Sequence, residues 1–270
     1  VTKRTWTQEQ VDDIVHMYTV QRCTQKVIAA KYSAKVQTIS GILKAHNVSI
    51  NYRKGANRHM NDQYFDVVDS AEKAYFLGLL LTDGSVIYDA ERIRQPEISI
   101  ELIESDVEIL HRLRDAIGLS TKLCYAKRAG RKHGTYTLKF RSAHMASTLA
   151  AYHIVQDKTH RVRVLPQNIP EQYMKDYVRG LIDGDGSIYF SQGSWHINYC
   201  GHFQSLVRDV GNVCCSMIGR DAPLKIQVSD NVYRITFNGA WAQKLASALY
   251  DNADIAIARK YRLAIAAMRG

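Results

Sequence analysis

The chain has no apolar run approaching the roughly 20 residues that a membrane helix needs. Its longest, Ala74 to Leu81, meets Asp83 almost at once. The N-terminus, Val1-Thr2-Lys3-Arg4-Thr5-Trp6, lacks the apolar core and small residues of a secretory signal. It also lacks an initiator methionine, which suggests processing or trimming. Cysteine is sparse and unpaired in spacing: Cys23, Cys124, Cys200, Cys214 and Cys215 fit neither a zinc knuckle nor a redox pair. They read as free thiols in a reducing cytoplasm, whether of a bacterial or phage-infected cell or of an organelle matrix. The ten histidines show no metal-ligand spacing. Prolines number only four, and 46% hydrophobic with 23% charged residues is ordinary for a globular chain of 270 residues, long enough for two domains.

What is abundant is positive charge. The net charge is +10 and the pI near 9.3, a balance that favours nucleic acid as partner because each neutralised phosphate releases counterions. In residues 1–60 basic side chains outnumber Glu9, Asp12 and Asp13 by ten to three. A second basic run holds Lys122, Lys127, Arg128, Arg131, Lys132 and Lys139 with no acid between them.

Residues 1–48 read as three short helices. Thr7 with Gln10 has the spacing of a capping box, followed by Val11, Ile14, Val15 and Tyr18 at helical intervals. Val27 to Tyr32 forms a second helix, and Val36, Ile39, Ile42 and Leu43 make the apolar side of a third. The pattern resembles a helix-turn-helix module whose last helix offers Lys35, Gln37, Thr38 and Lys44 to a DNA groove. A small three-helix cap with a solvated face fits the same pattern. From 49 to 61 the periodicity fades into a basic linker with Arg53, Lys54 and Arg58, suited to tracking phosphates.

The remainder is duplicated. Tyr75-Phe76-Leu77-Gly78-Leu79-Leu80-Leu81-Thr82-Asp83-Gly84-Ser85-Val86 lies on Tyr177-Val178-Arg179-Gly180-Leu181-Ile182-Asp183-Gly184-Asp185-Gly186-Ser187-Ile188, an offset of 102 as from Asp83 to Asp185. Each copy is followed by strand-like alternation, a helix (106–117; 204–218), two more strands (122–126 and 136–140; 224–228 and 232–237) and a closing helix (143–152; 240–250). Lys158 and Lys260 repeat at the same offset. The halves are placed at 62–168 and 169–270, and the expected class is α+β: a pseudo-twofold, duplicated αββαββα body with two antiparallel sheets after a small all-α domain.

The physics of the motif is an apolar helix ending in Asp-Gly, where Gly84 or Gly186 is expected to take the left-handed conformation that stops a helix. Gly78, Gly180 and Gly184 would let two such helices approach backbone to backbone. Their ends then bring Asp83 and Asp185 together, two carboxylates at the negative ends of two dipoles. A hard divalent cation relieves that repulsion.

The second copy, Gly180 to Gly186, closely resembles the LAGLIDADG signature of homing endonucleases. The first departs from it at Leu81 and Thr82 but keeps Asp83. The resemblance covers about residues 62–270. It implies a single-chain, monomeric, metal-dependent endonuclease that cuts both strands of a long duplex and leaves short 3′ overhangs. Such enzymes mobilise introns, inteins or free-standing genes, though no splicing signature is seen here. Asp83 and Asp185 would hold Mg²⁺, for which Mn²⁺ or Ca²⁺ can substitute in binding, with Gly84 and Gly186 beside them as ligands. Lys139 would assist chemistry or merely contact a phosphate; its counterpart is Thr236. No membrane and no obligate protein partner are implied.

The family's sheets lie in the major groove. For the first half this implies contacts from Arg92, Arg94, Gln95, Lys122, Lys127, Arg128 and Arg141, with Tyr88 and Tyr125. For the second half it implies Gln192, Ser194, His196, Asn198, Lys225, Gln227 and Arg234, with Tyr189. A catalytically silent DNA-binding regulator and an intron RNA maturase share the fold and stay open as alternatives.

Overall fold

The computed structural model describes residues 6–19, 23, 25–46, 48, 60–88, 95–161, 164–222 and 224–270. Two compact units divide the chain, Val1–His59 and Met60–Gly270. Arg53, Lys54, Arg58, Arg92 and Arg94 lie outside the described residues, as does most of the linker.

In the first unit α1 (Gln8–Thr19), α2 (Gln25–Lys31) and α3 (Val36–Ala45) pack around Ile14, Met17, Ile28, Ala29, Ile39 and Leu43. The capping box forms as its spacing requires. Gln10 N–H donates to Thr7 Oγ1 and Thr7 N–H to Gln10 Oε1, both at 3.3 Å. Lys31 and Tyr32 both reach Asp13, tying α2 to α1. Lys35, Gln37, Thr38 and Lys44 stay exposed along α3 while Ile39 and Leu43 face inward.

The second unit opens each half with a motif helix, α4 (Ala71–Asp83) and α8 (Met174–Asp185). In the first half come β1 (Gly84–Ile87), β2 (Glu97–Ile103), α5 (Val107–Ala116), β3 (Cys124–Ala126), β4 (Thr135–Arg141), α6 (Ala143–Ala150) and α7 (Lys158–Arg161). The second half repeats them as β5 (Gly186–Ser191), β6 (Ser194–Gly201), α9 (Gln204–Met217), β7 (Gln227–Ser229), β8 (Val232–Asn238), α10 (Ala240–Tyr250) and α11 (Ala258–Arg269). The sheets run β1-β2-β4-β3 and β5-β6-β8-β7, antiparallel throughout. The duplicated α+β architecture expected from the repeat is therefore present.

Alternation decides which face of each sheet is covered. Val86, Ile98, Ile100, Leu102, Leu138 and Phe140 are buried in the core that the helices share, while Ser85, Ile87, Glu101, Lys139 and Arg141 point the other way into solvent.

The motif helices do not end as expected. Gly84 (φ −77°, ψ 161°) and Gly186 (φ −97°, ψ 175°) are extended rather than left-handed. The backbone leaves each helix directly into strand pairing, Gly84 opposite Ile100 and Gly186 opposite Tyr199. Glycine is needed there for space: a Cβ would lie 2.4 Å from the Leu80 carbonyl at Gly84, and 2.6 Å from the Asn198 carbonyl at Gly186.

Candidate active site

The motif helices touch backbone to backbone. A Cβ on Gly78 would sit 2.1 Å from the Tyr177 carbonyl oxygen, and one on Gly180 would sit 2.2 Å from that of Tyr75. At their C-terminal ends the Gly184 Cα faces Thr82, and a Cβ there would stand 2.7 Å from Asp83 Oδ2. The two halves thus meet at Asp83 and Asp185, where both strands that begin the sheets also start.

Electrostatics follow from this crowding. Loss of water pushes the Asp83 carboxyl up to about 6, and the nearby Asp185 charge adds to it, while Thr82, Lys260 and Lys158 pull it down. Asp185 reaches the surface, yet the surrounding helix ends still strip water from its carboxyl and raise it, against Lys158, Lys260 and His202. The donor set is two hard oxygen anions that resist being charged together, which fits a divalent cation. No group of three or more His, Cys, Asp or Glu side chains suited to a metal occurs among the described residues, so any cation would rest on this pair and on neighbouring carbonyls.

The repeated lysines frame the pair. Lys158 donates to the Thr82 carbonyl at 2.7 Å, at the end of α4. Lys260, 3% exposed, donates to the carbonyls of Ile182 (2.7 Å), Asp183 (2.5 Å) and Gly186 (2.8 Å), at the end of α8. Each ammonium reaches a last-turn carbonyl that the helix leaves unpaired, Thr82 for Lys158 and Asp183 for Lys260, and offsets the helix's negative end. Burial lowers both, Lys260 to about 8 against the opposing pull of Asp183. The Gly186 carbonyl therefore faces an ammonium, and no such contact engages the Gly84 carbonyl among the described residues.

No protein-family model and no curated protein sequence matches the chain. Among solved structures, the homing endonuclease I-WcaI bound to its DNA recognition sequence matches over 81% of this chain and 97% of its own, with a TM-score of 0.53 at 14% identity. This chain has the fold of the LAGLIDADG homing endonucleases. The meganuclease I-AabMI bound to uncleaved DNA matches more loosely (TM-score 0.45, 14% identity, 70% of this chain and 86% of that one). So does I-DmoI in complex with DNA and Mn (0.44, 13%, 68% and 98%). At these identities the likeness is one of fold.

On the LAGLIDADG fold the sequence-nominated residues land unevenly. Arg141, Ser194, His196, Gln227 and Arg234 lie on the open sheet faces. His196 is held by Asn238 Oδ1 at 2.7 Å and stacks on Tyr189. Lys139 is on the open face too, 3.9 Å from Glu97, in a row with Ser99 and Ser85. Lys122 and Lys225 precede their strands rather than sit in them, because β3 and β7 begin only at Cys124 and Gln227. Both are exposed, as are Lys127 and Arg128 in the loop after β3. Gln95 precedes β2, and Gln192 occupies the β5–β6 turn with φ 51°. Two nominations are placed otherwise. Asn198 is buried (7% exposed), its Oδ1 without a partner among the described residues. Tyr125 pairs across the ladder with Tyr136 on the other face and hydrogen-bonds Glu104.

Reading by motif missed a buried network peculiar to α8. Arg179, 1% exposed, donates to the carbonyls of Ile255 (2.8 Å) and Leu249 (2.7 Å) and to Asp176 (2.5 Å). Asp183 accepts from Tyr75 Oη (2.8 Å), Tyr250 Oη (2.7 Å) and Ile257 N (2.7 Å). The signal was present in the alignment, where Leu77 and Leu81 stand opposite Arg179 and Asp183.

Proposed function

We propose that the chain is a site-specific endonuclease that hydrolyses both strands of a long DNA duplex and leaves short 3′ overhangs. The observation that carries this reading is the pair Asp83 and Asp185, brought together at the adjoining ends of α4 and α8 and raised by desolvation, Asp83 further by its partner's charge. Two crowded carboxylates are costly where both are desolvated. A regulator that only binds DNA has no use for them.

Asp83 and Asp185, with the Gly84 carbonyl, would hold Mg²⁺. Bound there, the cation supplies neutralisation of the scissile phosphate and acidification of water. The protein's own part is positional. Lys158 and Lys260 fix the helix ends that carry the acids, the sheets orient the duplex through their open faces, and Lys139 approaches a phosphate from β4. The halves are unequal at this point, since Thr236 occupies the row equivalent to Lys139, between Asn198 and the edge of the sheet. One strand is therefore cut faster. The N-terminal three-helix unit adds a second DNA contact through Lys35, Gln37, Thr38 and Lys44, raising affinity by tethering.

The test is incubation of the full chain with Mg²⁺ and a pool of duplex sites. Wild type cuts a subset of them, while Asp83→Asn and Asp185→Asn bind the same sites and make no double-strand break. Undiminished cleavage by both variants would sink the reading.

A further inference from the structure

The two open sheet faces differ in chemistry. On the second sheet the described face presents hydroxyls, amides, an imidazole and one full charge, Arg234. On the first sheet it carries carboxylates. Glu97 is spent on Arg141, whose Nε and Nη2 donate to it at 3.2 and 2.8 Å. Glu101 is not spent in this way. It accepts from the Thr137 hydroxyl across the ladder at 3.1 Å, and among the described residues its other oxygen has only the exposed Arg128, 3.9 Å away. The position equivalent to Glu101 on the second sheet is Cys200, opposite Arg234.

A carboxylate on a face that must approach a polyanion weakens phosphate binding, so its surroundings matter. Here the face dips into a cavity of about 410 Å³ lined by Glu101, Thr135, Arg128, Arg131, Lys132 and His133. The cations come from the loop joining β3 to β4, and the carboxylate comes from the central strand β2. The corresponding cavity of the second sheet, about 440 Å³, is lined by Gln227, Ser229, Asp230 and Arg234 among others; its carboxylate comes from the turn between β7 and β8, not from a central strand. Phosphates are drawn to the loop cations. Glu101 can only accept hydrogen bonds, and the donors on base edges in the major groove are the exocyclic amines, cytosine N4 and adenine N6.

We propose that Glu101 is a specificity-determining residue that fixes the orientation of one base pair in the half-site under the first sheet by requiring an amine at one groove position. The inference rests on the DNA-cleaving reading above. Cys200 imposes no matching demand, so the two half-sites obey different rules.

The experiment selects bound and cleaved duplexes from a library randomised over both half-sites, with full-length wild type, Glu101→Gln and Cys200→Ser, at low and high salt. Wild type is expected to enrich cytosine or adenine at one position of one half-site. Glu101→Gln should lower cytosine enrichment about tenfold at that position alone and shift it toward adenine, whose N6 and N7 an amide can meet, and Cys200→Ser should leave the wild-type profile intact. Identical profiles for wild type and Glu101→Gln would overturn the proposal. So would a Glu101→Gln protein that binds all sequences more tightly with steeper salt dependence, since the carboxylate would then only repel phosphate. A wild type that selects no duplex at all instead refutes the endonuclease reading, a different result from a wild type that selects sites regardless of residue 101.

Discussion

Asp183 and Leu81 occupy equivalent places in the two motifs, and their neighbours register the difference. Tyr75 of the first half donates its hydroxyl to Asp183 of the second at 2.8 Å. The equivalent Tyr177 would look to Leu81, which accepts nothing, and its buried hydroxyl has no partner among the described residues. Tyr75→Phe should cost about 1–3 kcal/mol by removing a donor from a buried carboxylate. Tyr177→Phe should be neutral or stabilising, since it removes a desolvated hydroxyl that makes no bond. Urea denaturation of both variants measures this, and equal losses would contradict the assignment. Asp83 supplies a pH test. Its carboxyl is raised to about 6 from an ordinary 3.8, so the folded chain holds this proton more tightly than the unfolded one. In chelator, wild type should lose stability relative to Asp83→Asn as pH rises from about 4 through 6. Added Mg²⁺ should reverse the loss above that range. Melting temperatures of the two proteins across that window, with and without metal, decide it; a flat difference counts against the site.

The motif helices are constrained by each other's backbones. Gly78 and Gly180 each face a carbonyl oxygen of the partner helix where a methyl group would be little more than 2 Å away. Backbone cannot yield as a flexible side chain can, so Gly78→Ala or Gly180→Ala should destabilise by about 3 kcal/mol or more. Chemical denaturation would show it, and a tolerated alanine at both positions would mean that the helices do not pack this closely. The helix ends explain a failed expectation as well. Asp-Gly was legible as a stop, but the conformation that makes the stop was not. Whether glycine turns left-handed or extends depends on what pairs with the next residues, and Ile100 and Tyr199 lie far along the chain. Strand edges were misplaced for the same reason. Lys122 and Lys225 continue the alternation but have no ladder partner among the described residues, so β3 and β7 start two residues later.

The whole molecule joins a duplicated body to a three-helix unit. Arg112 of the first half donates to the Asp254 carbonyl (2.6 Å) and Arg259 of the second to Asp106 (3.0 Å), so the halves are tied at their rims as well as through the motif helices. If the N-terminal unit also holds DNA, Gln37→Ala combined with Lys44→Ala should weaken binding and shorten the nuclease-protection footprint at one end, leaving the cut position unchanged. An unaltered footprint would assign that unit another role.

The sequence alone was enough for the duplication, the class of fold, the three-helix unit and the pair Asp83 and Asp185. All of these are carried by local periodicity and by a repeat of fixed offset, which survive without knowledge of distant contacts. Tertiary structure alone decided what each neighbour of that pair does. Lys260 emerged as a helix-end cap that also holds the Gly186 carbonyl, Asn198 as a buried residue, Arg179 as the centre of a polar network, and Glu101 as a carboxylate at the mouth of a basic cavity. Those roles depend on which faces are covered and which polar atoms find partners, and the partners lie tens to more than a hundred residues apart in the chain.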